Sequence, residues 1–274
     1  MGSLMKRLVV ALVAIPLLLY ITFLDWTLPF KLVAASGLFL ALFELLNLAD
    51  AHRLKTMKVE GLVILALFLM PWIFQSMTSW WTEGDSILLG FFILTLSFLW
   101  SERPLKDMVV SVSVTFFGVV YFGVLGHYFF LLRKLPDGAW QLLCLYIATW
   151  AYDTGGYFAG NWWGKHKMAP LVSPKKSWEG CAGGFVLVSA GLLLLWKFVP
   201  FYSQTYSLID VLVLSLLLSI FGQLGDLVES VIKRSLSAKD SGSLIPGHGG
   251  VFDRIDSLLF NAPVLFYYLV LFHK

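Results

Sequence analysis

Long apolar runs limit what this chain can fold into more than any other feature. Nine candidate membrane spans occupy residues 8–24, 28–48, 61–80, 86–101, 108–132, 139–160, 181–201, 207–229 and 257–272. An apolar helix of about 20 residues crosses a bilayer. Only 14% of the residues are charged, against about 25% in an ordinary soluble domain. We therefore predict an all-α, polytopic integral membrane protein with about nine transmembrane helices.

The positions of the basic residues predict the orientation. Most of the 20 Lys and Arg residues lie at the N-terminus or in loops that follow even-numbered spans. Because cytoplasmic loops carry an excess of Lys and Arg, we expect the N-terminus and these loops in the cytoplasm and the C-terminus outside. A bacterial inner membrane is the expected location. Residues 1–135 are expected to form a scaffold of about five helices. Residues 136–274 are expected to carry the chemistry, with long polar cytoplasmic loops at 161–180 and 230–256.

Three carboxylates interrupt apolar spans: Glu44, Asp153 and Asp226. An ionised carboxylate in mid-membrane costs about 2.5–3.5 kcal/mol on insertion scales, so such residues usually mark function. Pairing with a neighbouring helix, or a position at the interface, is the alternative. Asp226, Glu229 and Lys233 follow i, i+3, i+7 spacing and share one helix face. A simple Glu229–Lys233 surface pair is a second interpretation of that face.

The stretch "GHGGVFDRID" combines backbone freedom with acids. Gly249 and Gly250 can adopt positive φ, so that successive N–H groups converge on an anion such as a phosphate. If a helix opens here, Asp253 and Asp256 project to one face. They could then hold one or two Mg²⁺ ions with Asp226, or simply stabilise the helix N-terminus.

Basic residues supply further groups that could bind a phosphate. The segment "SPKKS" offers Lys175, Lys176 and Ser177 to a phosphate, although a positive-inside loop explains its lysines equally well. His248 is either a donor to a phosphate or leaving group, or a turn residue. Acids for Mg²⁺, lysines, an arginine and a glycine turn are the parts needed for nucleotidyl or phosphoryl transfer. Neither a GxxxxGK[ST] loop nor a GxGxxG fingerprint occurs.

The segment "SVIKRSLSAKDSGSLIPGHGGVFDRID", residues 230–256, resembles the signature of the phosphatidate cytidylyltransferases, also called CDP-diacylglycerol synthases. "SPKKSWEG" and "AYDTGGYFAG" are also similar to that family. The resemblance covers roughly residues 140–270. It implies that CTP and phosphatidic acid give CDP-diacylglycerol and pyrophosphate, with Mg²⁺ and a second metal such as K⁺. It also implies Asp226 and Asp253 as metal ligands.

The chemistry of the residues and the family resemblance together give the predicted site residues. The catalytic residues are Asp226, Asp253, Lys176, Lys233 and His248. The substrate- and phosphate-binding residues are Lys175, Ser177, Arg234, Lys239, Asp240, Gly249, Gly250, Arg254 and Asp153. The metal ligands are Asp226, Asp253 and Asp256. The expected partners are CTP, phosphatidic acid and membrane lipids; a homodimer is left open, and no nucleic acid is expected.

Two other functions compete with this interpretation. A CDP-alcohol phosphotransferase would show an Asp-Gly-x-x-Ala-Arg pattern, but "PDGAWQ" at 136–141 lacks the Ala-Arg and falls on the predicted external face. An ion-coupled transporter or flippase could use Asp153 and Asp226 as intramembrane relays. Transfer of cytidylyl label from CTP into lipid would separate these possibilities.

Overall fold

The computed structural model describes residues 3–74, 82–242 and 249–273, without the side chains of residues 3–11 and 83. The described chain is almost entirely helical. Its helices are α1 Ser3–Phe23, α2 Leu28–Ala51, α3 Lys58–Ile73, α4 Glu83–Leu99, α5 Met108–Lys134, α6 Gly138–Trp163, α7 Trp178–Phe198, α8 Pro200–Thr205, α9 Leu208–Ser235 and α10 Phe252–Phe272. The predicted helical architecture is therefore confirmed.

Five helical segments of the described chain are long and apolar enough to cross a membrane. They are Leu28–Ala51, Leu105–Lys134, Trp178–Phe198, Leu208–Ser235 and Phe252–Phe272. The protein is therefore a multi-pass membrane protein. The count of nine spans, the sidedness of the loops and the division at residue 135 stay predictions.

Local sequence signals set several helix starts. Thr82 caps α4, and its hydroxyl and backbone N–H exchange hydrogen bonds with Asp85 in a capping box. Ser177 caps α7, because its hydroxyl accepts a hydrogen bond from the N–H of Gly180 at 3.2 Å. A proline opens α8, where the missing N–H would have had no helical partner.

The chain divides into two compact units, the first comprising Met1–Phe130 and Ser235–Ile255. Its core is formed by large apolar side chains of α2, α3 and α5. Phe252 is fully buried and packs edge-to-face on Phe122, with ring centroids 4.9 Å apart. This aromatic contact fixes the start of α10 within the unit.

The second unit comprises Leu131–Arg234 and Asp256–Lys274. Its helices α6 and α7 pack backbone to backbone: a side chain at Gly156 would meet the carbonyl oxygen of Gly180 at 3.7 Å, and one at Gly183 would meet that of Gly155 at 2.9 Å. Small residues at such crossings allow membrane helices to approach closely.

The predicted loop at 161–180 is shorter than expected and partly regular. Helix α6 continues to Trp163, and α7 begins at Trp178. Between them lies an antiparallel hairpin of β1 Lys167–Ala169 and β2 Ser173–Ser177. The "SPKKS" segment is thus a β-strand, in which successive side chains point to opposite faces.

Candidate active site

Three carboxylates form a compact group in the second unit, which we call the acidic cluster: Asp226, Glu229 and Asp256. One carboxylate oxygen from each lies within 4.8 Å of those of the other two. Asp226 and Glu229 lie one turn apart on α9, and α10 contributes Asp256. The two helices approach closely because position 225 is a glycine, where a side chain would meet the carbonyl oxygen of Asp256 at 2.7 Å.

Two lysines are paired with the acidic cluster. The Nζ of Lys176 lies 2.5 Å from an oxygen of Asp226, and the Nζ of Lys233 lies 2.7 Å from an oxygen of Glu229. Glu229 is only 1% exposed. Carboxylates 4.8 Å apart repel by about 3.5 kcal/mol per pair at an effective dielectric constant of about 20. The two lysines pair with two of the three acids, and the three carboxyl groups together could hold a cation.

The hairpin determines which lysine reaches the cluster. Lys175 and Lys176 are neighbours on β2; Lys175 is exposed, whereas Lys176 is partly buried beside Asp226. Ser177 is buried as the cap of α7. The Nε of Arg234 donates a hydrogen bond to the carbonyl oxygen of Val172 at 3.2 Å, so α9 also contacts the hairpin. Predicted catalytic and phosphate-binding residues of two distant segments therefore lie together.

The first unit holds a second group of site residues, which we call the glycine loop: Ser241, Gly242 and Gly249–Val251. The carboxylate of Asp253 accepts hydrogen bonds from the N–H of Gly250 at 2.8 Å and from the N–H of Ser241 at 3.1 Å. Gly249 has a φ of 81°, a conformation that an L side chain rarely adopts. The bond from Gly250 is a local bond at the start of α10, whereas the bond from Ser241 joins the two described parts of the loop.

Glu44 also binds the glycine loop. This carboxylate of α2 is 3% exposed and is flanked in the sequence by the apolar residues Phe43 and Leu45. It accepts hydrogen bonds from the hydroxyl of Ser241 at 2.9 Å, the N–H of Val251 at 2.9 Å and the N–H of Phe252 at 3.0 Å. Such bonds offset the cost of burying the charge.

Four further predicted site residues are exposed in the part of the chain that the structure describes. Lys239, Asp240 and Arg254 are exposed residues of the first unit, and Asp153 is an exposed residue of α6. His248 lies outside the described residues. Asp226 and Asp253 belong to different units, and their sharing of one metal stays a prediction.

Sequence reasoning gave too little weight to two residues. Glu229 pairs with Lys233, as one interpretation held, but it also belongs to the acidic cluster; its i, i+3 spacing from Asp226 was the available signal. The sequence marks Glu44 as an intramembrane carboxylate, but no local pattern identifies its partners.

The fold and the acidic cluster define a helical membrane protein with a candidate divalent-cation site. The model of the Cytidylyltransferase family matches residues 5–272. The chain therefore belongs to the Cytidylyltransferase family.

Three named relatives show which enzymes of the family this chain resembles. The chain is 36% identical over 253 residues to the phosphatidate cytidylyltransferase of Bacillus subtilis, covering 89% of this chain and 90% of the relative. It is 37% identical over 242 residues to that of Haemophilus influenzae, covering 85% and 77%. For the enzyme of Staphylococcus haemolyticus the identity is 35% over 232 residues, covering 82% and 85%. The resemblance found in the sequence is thereby confirmed, and it extends into the N-terminal half.

Proposed function

We infer that the chain transfers the cytidylyl group of CTP to phosphatidic acid, giving CDP-diacylglycerol and pyrophosphate for phospholipid biosynthesis. The relatives carry the name of this activity, and the chain matches them over most of their length. The observation that supports the chemistry in this chain is the acidic cluster with its two paired lysines. Neither a transporter nor a CDP-alcohol phosphotransferase is supported by the family or the relatives.

The bond changes are those of an in-line displacement. A phosphate oxygen of phosphatidate forms a bond to the α-phosphorus of CTP. The bond from that phosphorus to the oxygen bridging the α- and β-phosphates breaks, and its electron pair leaves with pyrophosphate. Because the attacking oxygen is already ionised, the reaction needs no strong general base. The chain's main tasks are to bring anions together and to stabilise charge as it shifts.

We propose that the acidic cluster holds Mg²⁺. Carboxylate oxygens are the ligands that Mg²⁺ prefers, and substrate phosphates and water usually complete its coordination. Asp226, Glu229 and Asp256 fit this requirement in number, type and spacing. When bound, the ion would neutralise phosphate charge and orient the reacting groups. Asp253 as a further ligand, and a second metal such as K⁺, extend the same proposal.

The basic residues bind and orient phosphates. Lys176 and Lys233 lie against the cluster, so a phosphate that approaches the bound metal also meets their ammonium groups. Lys175 and Arg234 lie on and beside the hairpin and extend this positive surface. Lys239 and the glycine loop are proposed to contact the nucleotide's other phosphates, while the N–H groups of Ser241, Gly250 and Val251 maintain the loop's conformation by binding Asp253 and Glu44. In this proposal the site faces the cytoplasm, where CTP is dissolved. A homodimer and bound membrane lipids are further parts of the proposal, to be tested separately.

The test uses CTP labelled at one phosphorus at a time. Purified protein in phosphatidate-containing micelles is given α-labelled or γ-labelled CTP, with Mg²⁺ or with EDTA. We expect α-label in the organic phase, γ-label in aqueous pyrophosphate, and neither product with EDTA.

The outcomes separate the candidate functions. Passage of γ-label into lipid would indicate phosphoryl transfer instead. The absence of labelled lipid and of pyrophosphate, with Mg²⁺ and phosphatidate present, would refute the proposed function. Full activity in EDTA would leave the reaction standing and refute the metal.

A further inference from the structure

We propose that Glu44 is a positioning residue that holds the glycine loop in its nucleotide-binding conformation. Its carboxylate accepts hydrogen bonds from one hydroxyl and two backbone N–H groups. All three donors lie within or directly beside the glycine loop. Glu44 itself lies in α2, about 200 residues earlier in the chain. This inference rests on the proposed function only in taking the loop to bind CTP.

A neutral glutamine at position 44 cannot accept all of these hydrogen bonds. One oxygen of Glu44 accepts from Val251, and the other accepts from both Ser241 and Phe252. A glutamine has one accepting oxygen and one donating NH₂ group. In either orientation its NH₂ would face an N–H donor, so at least one hydrogen bond is lost and a donor is left unsatisfied.

Two glycines permit this close approach. A side chain at Gly242 would meet the carboxylate of Glu44 at 2.8 Å, and one at Gly250 would overlap it. Ser241 donates to Glu44 at 2.9 Å and lies 3.2 Å from an oxygen of Asp253. The hydroxyl thus links the buried carboxylate of α2 to the predicted catalytic aspartate. The three residues that donate to Glu44 lie within the segment 230–256 that resembles the family signature.

Positioning and simple stability predict different kinetics. If Glu44 holds the loop ready for the nucleotide, its loss lowers the fraction of enzyme in the competent conformation, and the apparent affinity falls by that fraction. Saturating CTP restores the conformation. For Glu44→Gln we therefore expect a rise of about tenfold or more in the KM for CTP, with kcat within about threefold of the wild type. A residue that only stabilised the fold would reduce the amount of active protein and leave the KM unchanged.

The experiment combines kinetics with hydrogen exchange. Wild type, Glu44→Gln, Glu44→Asp and the control Glu60→Gln are compared in the same detergent. Glu60 is a partly exposed carboxylate in the first turn of α3. In Glu44→Gln the amides of Val251 and Phe252 should exchange about tenfold faster or more. Glu44→Asp keeps two accepting oxygens and should give intermediate values. Glu60→Gln should match the wild type.

These measurements test the role of Glu44 separately from the proposed cytidylyl transfer. An unchanged KM together with unchanged exchange at residues 251–252 would overturn it, as would a loss of kcat with an unchanged KM. If Glu44→Gln does not fold, Ser241→Ala decides, since it removes one donor and leaves the carboxylate in place. It should raise the KM for CTP about threefold, and an unchanged KM would overturn the proposal. A wild type without activity would refute the proposed function, while the exchange measurement would still test Glu44.

Discussion

Replacing Asp226 by Asn should abolish activity without unfolding the protein. In metal-free buffer the change relieves repulsion from Glu229 and Asp256 of at least about 3.5 kcal/mol each, for oxygens within 4.8 Å and a dielectric constant of about 20. It also removes the attraction of Lys176 at 2.5 Å, worth about 7 kcal/mol on the same scale. The repulsion that is relieved and the attraction that is lost are of similar size and opposite sign, so they largely offset each other. We therefore expect a melting temperature within about 4 °C of the wild type's.

The metal-dependent properties should respond very differently. Mg²⁺ that binds the folded wild type stabilises it by an amount that grows with the logarithm of the Mg²⁺ concentration above the Kd, and this increase in melting temperature should disappear in Asp226→Asn. Turnover of CTP should fall by about a hundredfold or more, because charge stabilisation at the reacting phosphates is lost. The assays are thermal unfolding with and without Mg²⁺, and transfer of α-label into lipid.

A second aspartate on the same helix is the control. Asp210 accepts hydrogen bonds from the N–H of Ser207 at 2.7 Å and the hydroxyl of Tyr268 at 2.5 Å. Asp210→Asn should therefore lower the melting temperature but keep normal turnover in the folded fraction. Turnover by Asp226→Asn above about a tenth of the wild-type rate would contradict the metal assignment. Its unfolding in metal-free buffer would contradict the charge balance.

Three further substitutions test other parts of the structure. Glu229→Gln should weaken Mn²⁺ binding, measured by electron paramagnetic resonance, by about tenfold or more; unchanged affinity would remove Glu229 from the site. Gly250→Ala places a methyl group against Glu44, and it should raise the KM for CTP by about tenfold, whereas Gly37→Ala, in open space, should not. Gly183→Val should destabilise the protein by about 1–3 kcal/mol through overpacking against Gly155, seen as a lower melting temperature in detergent; an unchanged value would contradict the close helix crossing.

Much of the acidic cluster could be predicted from local sequence. Asp226, Glu229 and Lys233 share a helix face by spacing alone, and the residue chemistry together with the family resemblance assigns Asp226 and Lys233 to the site. The role of Glu229 was ambiguous, because an i, i+4 pair with Lys233 explains its position without a metal. Only the approach of α10, which brings Asp256 within ligand distance, distinguishes a cation site from a surface ion pair.

The helical membrane architecture and the family can both be recognised from the amino-acid sequence. Apolar runs that enter a bilayer must satisfy their backbone hydrogen bonds internally, so their length and composition already specify helices. The signature at residues 230–256 is contiguous and could be identified without a fold.

Contacts between residues that are distant in the sequence become visible only in the folded chain. Glu44 and Ser241 are joined by a hydrogen bond across almost the whole chain, and Lys176 reaches Asp226 because β2 turns one of two adjacent lysines inward. Contacts of this kind depend on how helices pack and on which face of a strand each side chain occupies. The periodicity of the sequence does not specify either.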